Sequence, residues 1–458
     1  MGESSTIIEA MRQAVPPGKA ELSSSDVVTL RTLTAKLMAA RPGTRSEYAR
    51  FTAIRARGLC LPTEQLREKL DGATVLVTGG TGCIGSTLLA QLALFRPARL
   101  VSISRGITGA FARCENVEYL NADVTAFNSL KRVVAEVGPD IVFHTAAQRS
   151  PGLAETEVHR TVATNILGSR NVLAAASAAG VAQVVLASTG KALRPYSPEI
   201  YTASKRAAEW VAMSVAGASA MKCSAARFTH VIDNSIIRDR LLGWVAANGS
   251  GDAAIRLHGP EIAFYVQSAL ESAQLLLIAM LGAVPGEFRV HAIADLGWPV
   301  SLLDISLGLL AETGSATPVY VSGYDPGYEE VAFPGLYDLA TAGDVSPLMN
   351  AFETAAMTAA PCPMVNSFRL EMTPDPVLPK LLSGVDDVCA ANAPESRIRQ
   401  ALDDLSWAML DATLAAAAPA ALARCVKLTR RFKGAMSPTH ERIMRAIATH
   451  AKCDPHHI

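Results

Sequence analysis

A strand that runs straight into a glycine-rich turn and then a helix constrains this chain more than any other feature. "TVLVTGG" is a short β-branched apolar run, and "TGCIGSTLLAQL" follows it directly. Glycines at 79, 82 and 85 give a G-x-x-G-x-x-G pattern. Such a turn needs unusual backbone angles, close approach of the backbone to a pyrophosphate, and tight packing of the new helix on the strand. The helix N-terminus then offers free N–H groups to phosphate. Similar buried strands follow at "ARLVSIS", "VEYLNA", "DIVFHTA" and "AQVVLAS", with apolar helical windows between them. Strands alternating with helices predict parallel βαβ units, an α/β Rossmann-type doubly wound parallel sheet.

The alternation divides the 458 residues into four segments. Residues 1–72 read as a helical N-terminal extension and 73–226 as a dinucleotide-binding Rossmann domain with the catalytic residues. Residues 227–344 read as a smaller substrate-binding part, and 345–458 as a helical C-terminal extension ending in the basic "KLTRRFKGAM". The extensions are expected to cover the active site or to form the interface of a homo-oligomer.

Composition excludes several classes of partner. Lys+Arg and Asp+Glu stand at 42 each, so the whole chain makes no electrostatic case for nucleic acid or a membrane surface. No apolar run reaches the ~18–20 residues of a membrane span. The opening "MGESSTIIEAMRQAV" lacks the basic region and apolar stretch of a signal peptide. Eight cysteines fall without a CxxC pair or zinc-like spacing, so reduced thiols, a cytoplasmic location and no metal site are expected.

The second strand ends in Ser104 and Arg105, where an acidic residue often holds the ribose 2′-OH. A cation there suits a 2′-phosphate, so the expected cofactor is NAD(P), with NADP preferred over NAD. Further on, "IYTASKRAAEW" places Tyr201 and Lys205 four apart, on one helix face. A tyrosine with an ordinary pKa near ~10 is a poor base at neutral pH. A neighbouring ammonium and a positive nicotinamide lower that value, and the phenolate can then take a hydroxyl proton as hydride leaves the same carbon.

With "TGGTGCIG" (78–85), "ADV", "HTAA" (144–147), "TNILGSRNVL", "AST" (187–189) and "YTASK" (201–205), the chain resembles the extended short-chain dehydrogenase/reductase family. "STGKALRP", "TASKRAAE", "RFTHV" (227–231), "PEIAFYV" (260–266) and "GYDPGYEE" (323–330) resemble its branch of nucleotide-sugar 4,6-dehydratases and epimerases of polysaccharide synthesis. The resemblance implies a cofactor cleft of Gly79, Thr81, Gly82, Cys83, Ile84, Gly85, Ser104, Arg105, Asp123, Val124, Thr145, Ala146, Ala147, Asn165, Tyr201 and Lys205. It implies Thr189, Lys191, Tyr201 and Lys205 as catalytic residues. Gln148, Arg149, Ser188, Arg227, His230 and Arg256, with Arg238, are the candidates to meet a nucleotide-sugar substrate.

Departures from that branch bear on the reaction. Dehydratases of the branch carry an acid between the threonine and the lysine, to protonate the departing C6 hydroxyl, while the lysine removes the C5 proton. This chain has Gly190 there and keeps Lys191. The stretch between Pro195 and Tyr201 ("PYSPEIY") is about two residues longer than usual. Phe264 and Asp325 replace usual arginines, and His230 a usual asparagine. The expected activity is transient oxidation at C4 followed by epimerisation or dehydration. The alternatives are a ketoreductase that consumes NADPH, and a non-catalytic scaffold.

Overall fold

The computed structural model describes residues 2–106, 113–234, 241–243, 245–246, 254–325, 328, 345–430 and 436–451. Arg238, parts of the 323–330 turn and the basic 431–435 stretch lie outside the described residues.

A nine-stranded sheet organises the larger of two compact units, which comprises residues 59–228, 271–295 and 330–458. Its first six strands are β1 (Thr74–Thr78), β2 (Arg99–Ser104), β3 (Glu118–Asn121), β4 (Ile141–His144), β5 (Gln183–Thr189) and β6 (Lys222–Phe228). They lie in the order β6-β5-β4-β1-β2-β3, all parallel, the doubly wound arrangement expected. The order reverses between β1 and β4, so a crevice opens at their C-terminal ends, where such folds hold their ligands. Strands β1, β4 and β5 are buried almost throughout, as their unbroken apolar runs require.

The sheet continues beyond the expected Rossmann segment. Phe288–Ile293 adds parallel to β6, Val365–Arg369 adds antiparallel to that strand, and Met357–Thr358 follows. The C-terminal segment is therefore not helical from its start. It first supplies two sheet strands, and "VNSFR" buries Val365, Ser367 and Phe368 where it pairs with the 288–293 strand. Helices Val377–Ala390, Glu395–Ala416, Pro419–Thr429 and Pro438–Ala451 come after. No single described helix is long and apolar enough to cross a membrane. The bent pair Glu395–Ala416 and Pro419–Thr429 reaches that length and composition only together, across a 116° bend. Leu402, Leu405, Met409, Leu422 and Cys425 of that pair are buried within the protein core.

The smaller unit joins residues 1–58 to 229–270 and 296–329. The N-terminal segment is helical, as its sequence predicts, but its first 58 residues share a core with the later segments. Met11, Leu30, Leu37 and Phe51 pack with Ile255, Val266, Leu303 and Tyr320. Helices Glu3–Ala14 and Ser24–Ala39 pack on each other, and Thr44–Ala53 packs on Leu302–Thr313.

Candidate active site

The turn after β1 is built for close approach. Gly79 has φ +73°, and a Cβ there would lie 2.7 Å from the Ala146 nitrogen. A Cβ at Gly85 would collide with the Gly79 carbonyl. The helix Cys83–Ala93 begins with Gly82 as its cap, which brings no side chain to its first turn of N–H groups. Thr81, Gly82 and Ile84 are partly exposed around that end. The cradle thus fits a dinucleotide pyrophosphate, whose oxygens would take those donors. Thr145 Oγ1 donates to the Thr78 carbonyl (2.6 Å), and the Ala146 N–H reaches Thr78 Oγ1 (3.3 Å). These bonds fix the Thr145–Ala147 wall beside the turn. At the end of β2, Ser104 Oγ donates to the Gly106 carbonyl (2.9 Å) and Arg105 is exposed. Asp123 Oδ1 accepts from the Thr125 N–H and hydroxyl, which holds the loop after β3. Val124 is buried there against Gly168, where a Cβ would come within 2.8 Å of its Cγ2.

Tyr201 and Lys205 lie on the helix Ile200–Ala218, with Tyr201 partly exposed and Lys205 8% exposed. Lys205 Nζ donates to the Ala187 carbonyl near the end of β5 (2.7 Å). Burial pulls its pKa down to about 8, against the opposing pull of Glu209. Thr189 ends β5, and its Oγ1 accepts the Lys191 N–H (3.3 Å), which opens the short helical turn Gly190–Leu193. His144 is buried between Thr78 and Ser169, and burial with the Lys205 charge lowers its pKa to about 3. It is a neutral brace under the cleft.

Lys191 has a partner that the sequence reading missed. Its Nζ lies 2.8 Å from Glu199 Oε2, and Thr202 Oγ1 donates to the same oxygen (2.8 Å). Arg194 Nη1 stands 3.6 Å away from it. The glutamate caps the Tyr201 helix in position only, since its carboxylate faces these groups instead of the helix N–H groups. The signal lay in the longer "PYSPEIY" loop, which ends in an acid just before the catalytic helix. The loop is tied to the chain after 345 at three points. Tyr196 stacks on Trp407 (3.9 Å between centroids) and donates to Asp403 (2.7 Å). Asn350 donates to the Leu193 carbonyl (2.6 Å), and Arg399 pairs with Glu155, which accepts the Ile200 N–H.

Several expected contact residues have other work. Arg227 is 0% exposed and joins Glu209 and Glu353 by hydrogen bonds of 2.8–2.9 Å, so it does not meet a substrate. Ser188 is buried and donates to Glu209 (2.6 Å). Asn165 is 1% exposed, and its amide ties Gln148 to Ser204, so it supports the cleft wall instead of lining it. Gln148 also donates to Glu157 (3.0 Å), while Arg149 is exposed. In the smaller unit, Arg256 donates to the carbonyls of Lys19 and Ala20, a structural tie to the N-terminal segment. His230 packs its ring against Phe264, 4.4 Å between centroids. Among the described residues no group of three or more His, Cys, Asp or Glu could hold a metal ion.

Comparison with known proteins agrees with this geometry. The family described as "Polysaccharide biosynthesis protein" matches residues 75–329. The chain is 28% identical over 287 residues to the probable polysaccharide biosynthesis protein EpsC of Bacillus subtilis (strain 168), covering 59% of this chain and 47% of that protein. It is 30% identical over 173 residues to a UDP-N-acetylglucosamine 4,6-dehydratase (inverting) of Campylobacter jejuni, covering 35% of this chain and 50% of that one. The chain spans about half the length of these curated relatives. Among solved structures, Pen from Bacillus thuringiensis shares the fold, with a TM-score of 0.54 and 24% identity over 66% of this chain and 87% of that one.

Proposed function

This chain belongs to the polysaccharide biosynthesis protein family, and we propose that it is an enzyme that modifies a nucleotide-activated sugar. The reaction proposed is transient oxidation at C4, followed by proton exchange at the neighbouring carbon and inversion there. Its cofactor is NAD(P), with Arg105 inclining it to NADP. A homo-oligomeric state, a cytoplasmic location and the absence of membrane or nucleic-acid partners are part of the same proposal.

A bound nicotinamide would accept the hydride and return it within each turnover. The chain's own residues do the rest. Thr189 orients the substrate hydroxyl, and Tyr201 takes its proton. Lys205, buried and bonded to the Ala187 carbonyl, keeps a cationic centre on the same helix face as the tyrosine. The resulting carbonyl acidifies the adjacent C–H, and Lys191, once its ammonium has passed a proton to solvent, removes the C–H proton as the free amine. One observation inclines the reading to epimerisation. The place where relatives carry the acid is Gly190, and Leu348 fills it, with Cδ2 only 2.6 Å from where a Cβ would stand. No carboxyl group extends from that position to protonate a leaving hydroxyl.

The test is incubation of the purified protein with a panel of nucleotide sugars in D2O, followed by NMR and mass spectrometry. One deuterium with an unchanged oxygen count is the expected result. Loss of a water mass would replace epimerisation by dehydration. A sustained absorbance change at 340 nm with turnover would instead mark a ketoreductase.

A further inference from the structure

We propose that Glu199 is a positioning residue for Lys191, and that the segment after 345 serves to deliver it. The proposal rests on the nucleotide-sugar reading above. It follows from a pair of facts about one loop. The loop between Pro195 and Tyr201 carries an acid at its end, just before the catalytic helix. That acid meets the one amine in the Gly190–Leu193 turn, at 2.8 Å.

The exposures order the two groups. The Lys191 side chain is 27% exposed and that of Glu199 only 6%. A substrate therefore meets the amine, and the carboxylate acts through it. A lysine on a flexible four-carbon stem is a poorly placed base unless something holds its nitrogen. Glu199 Oε2 does so, and Thr202 Oγ1 and Arg194 hold the oxygen in turn. When the C–H bond beside the carbonyl breaks, its electron pair passes to the carbonyl oxygen as an enolate. The proton forms a new bond to Lys191 Nζ, and the ammonium so made faces a buried carboxylate that favours it. A solvent proton then adds to the opposite face of the carbon, the enolate oxygen's electron pair re-forms the carbonyl, and the ammonium releases its extra proton to solvent to restore the amine.

The loop leans on the later part of the chain. Its hold on position comes from Tyr196 on Trp407 and Asp403, with the Arg442 guanidinium 3.6 Å above the Trp407 ring. Asn350 fixes one end through Leu193, and Arg399 fixes the other through Glu155 and Ile200. Tyr196, Leu193 and, through Glu155, Ile200 are all held by side chains from beyond residue 345, so the C-terminal segment is part of the proton-transfer apparatus without touching the reacting atoms.

The experiment uses the full chain and a nucleotide sugar that the wild type processes, in D2O. Deuterium incorporation is read by mass spectrometry, and nicotinamide reduction at 340 nm in a single turnover. For Glu199→Gln, the ratio of exchange to reduction is expected to fall about ten- to a hundredfold, the scale of a misplaced catalytic group. Glu199→Asp restores part of it, and Tyr196→Ala moves the ratio in the same direction. Should Glu199→Gln fail to fold by circular dichroism, Thr202→Val removes the hydroxyl from the same carboxylate oxygen and carries the same expectation. A ratio equal to that of the wild type, with both steps intact or both reduced alike, overturns the proposal alone. A wild type that neither reduces nicotinamide nor exchanges deuterium with any sugar overturns the functional reading, and this proposal with it.

Discussion

Leu348 stands where a side chain at position 190 would be, its Cδ2 2.6 Å from an ideal Cβ built on Gly190. The glycine is thus required by a close approach, since its backbone lies outside the left-handed region. Gly190→Asp alone crowds a buried leucine and is expected to cost about 1–3 kcal/mol, as overpacking does. Gly190→Asp with Leu348→Ala makes room for the carboxyl. Differential scanning calorimetry should show the double variant recovering part of that loss. Loss of water from a nucleotide sugar in the double variant, and not in the wild type, would mark the native enzyme as an epimerase.

Tyr201→Phe keeps the ring and removes the proton acceptor. Nicotinamide reduction in a single turnover should slow about 10²–10⁴-fold, the range for a positioned acid–base group. Retention of full activity in this variant would favour the scaffold reading.

Arg105→Glu puts a carboxylate where a 2′-phosphate is proposed to lie. Affinity for NADP should weaken about ten- to a hundredfold through loss of a charge-assisted hydrogen bond, with NAD little affected. Titration calorimetry with both cofactors decides. Equal losses for the two would mean that Arg105 does not read the 2′ position.

Acid should destabilise the larger unit through His144 and His291. Burial lowers both to about 3 from an ordinary value of 6.5. Between those limits the unfolded chain binds protons that the folded chain refuses, so stability rises with pH across this window and is lost as pH falls. Each contributes a slope of about 1.4 kcal/mol per pH unit. Neither ring nitrogen of His291 has a hydrogen-bond partner, so His291→Gln should flatten the profile of urea midpoints between pH 4 and 6.

Glu353→Ala should destabilise the fold by about 3–5 kcal/mol, because it strands buried guanidinium groups. Glu353 bonds Arg227 at 2.8 Å and Arg206 at 3.3 Å, and both arginines are essentially buried. Among the described residues, Arg206 Nε and Nη2 find no hydrogen-bond partner. A urea titration measures the loss.

What could be read from the residues in order was local. The turn at Gly79, Gly82 and Gly85 follows from spacing alone, and so does the shared face of Tyr201 and Lys205. Both depend on neighbours within a few positions. The parallel, doubly wound sheet followed from alternation of strands and helices. Arg227 was misread because its partner Glu353 lies 126 residues away, and no periodicity joins them. The same holds for Leu348 against Gly190 and for Trp407 against Tyr196. Glu199 was within reach, since the lengthened loop was visible, but an acid at a helix cap ordinarily serves the helix.

Arg206, Glu209 and Arg227 on one side, and Glu353 on the other, have a consequence for how this protein can be divided. The similarity to the polysaccharide biosynthesis family stops at residue 329, well before Glu353. A fragment trimmed to that border would keep two guanidinium groups in its interior with one carboxylate between them. It would also lose the antiparallel strand Val365–Arg369 from the sheet edge. Inheritance and cooperativity therefore have different borders here. The part shared with relatives is not expected to stand alone, and the catalytic helix and the tail are expected to melt together.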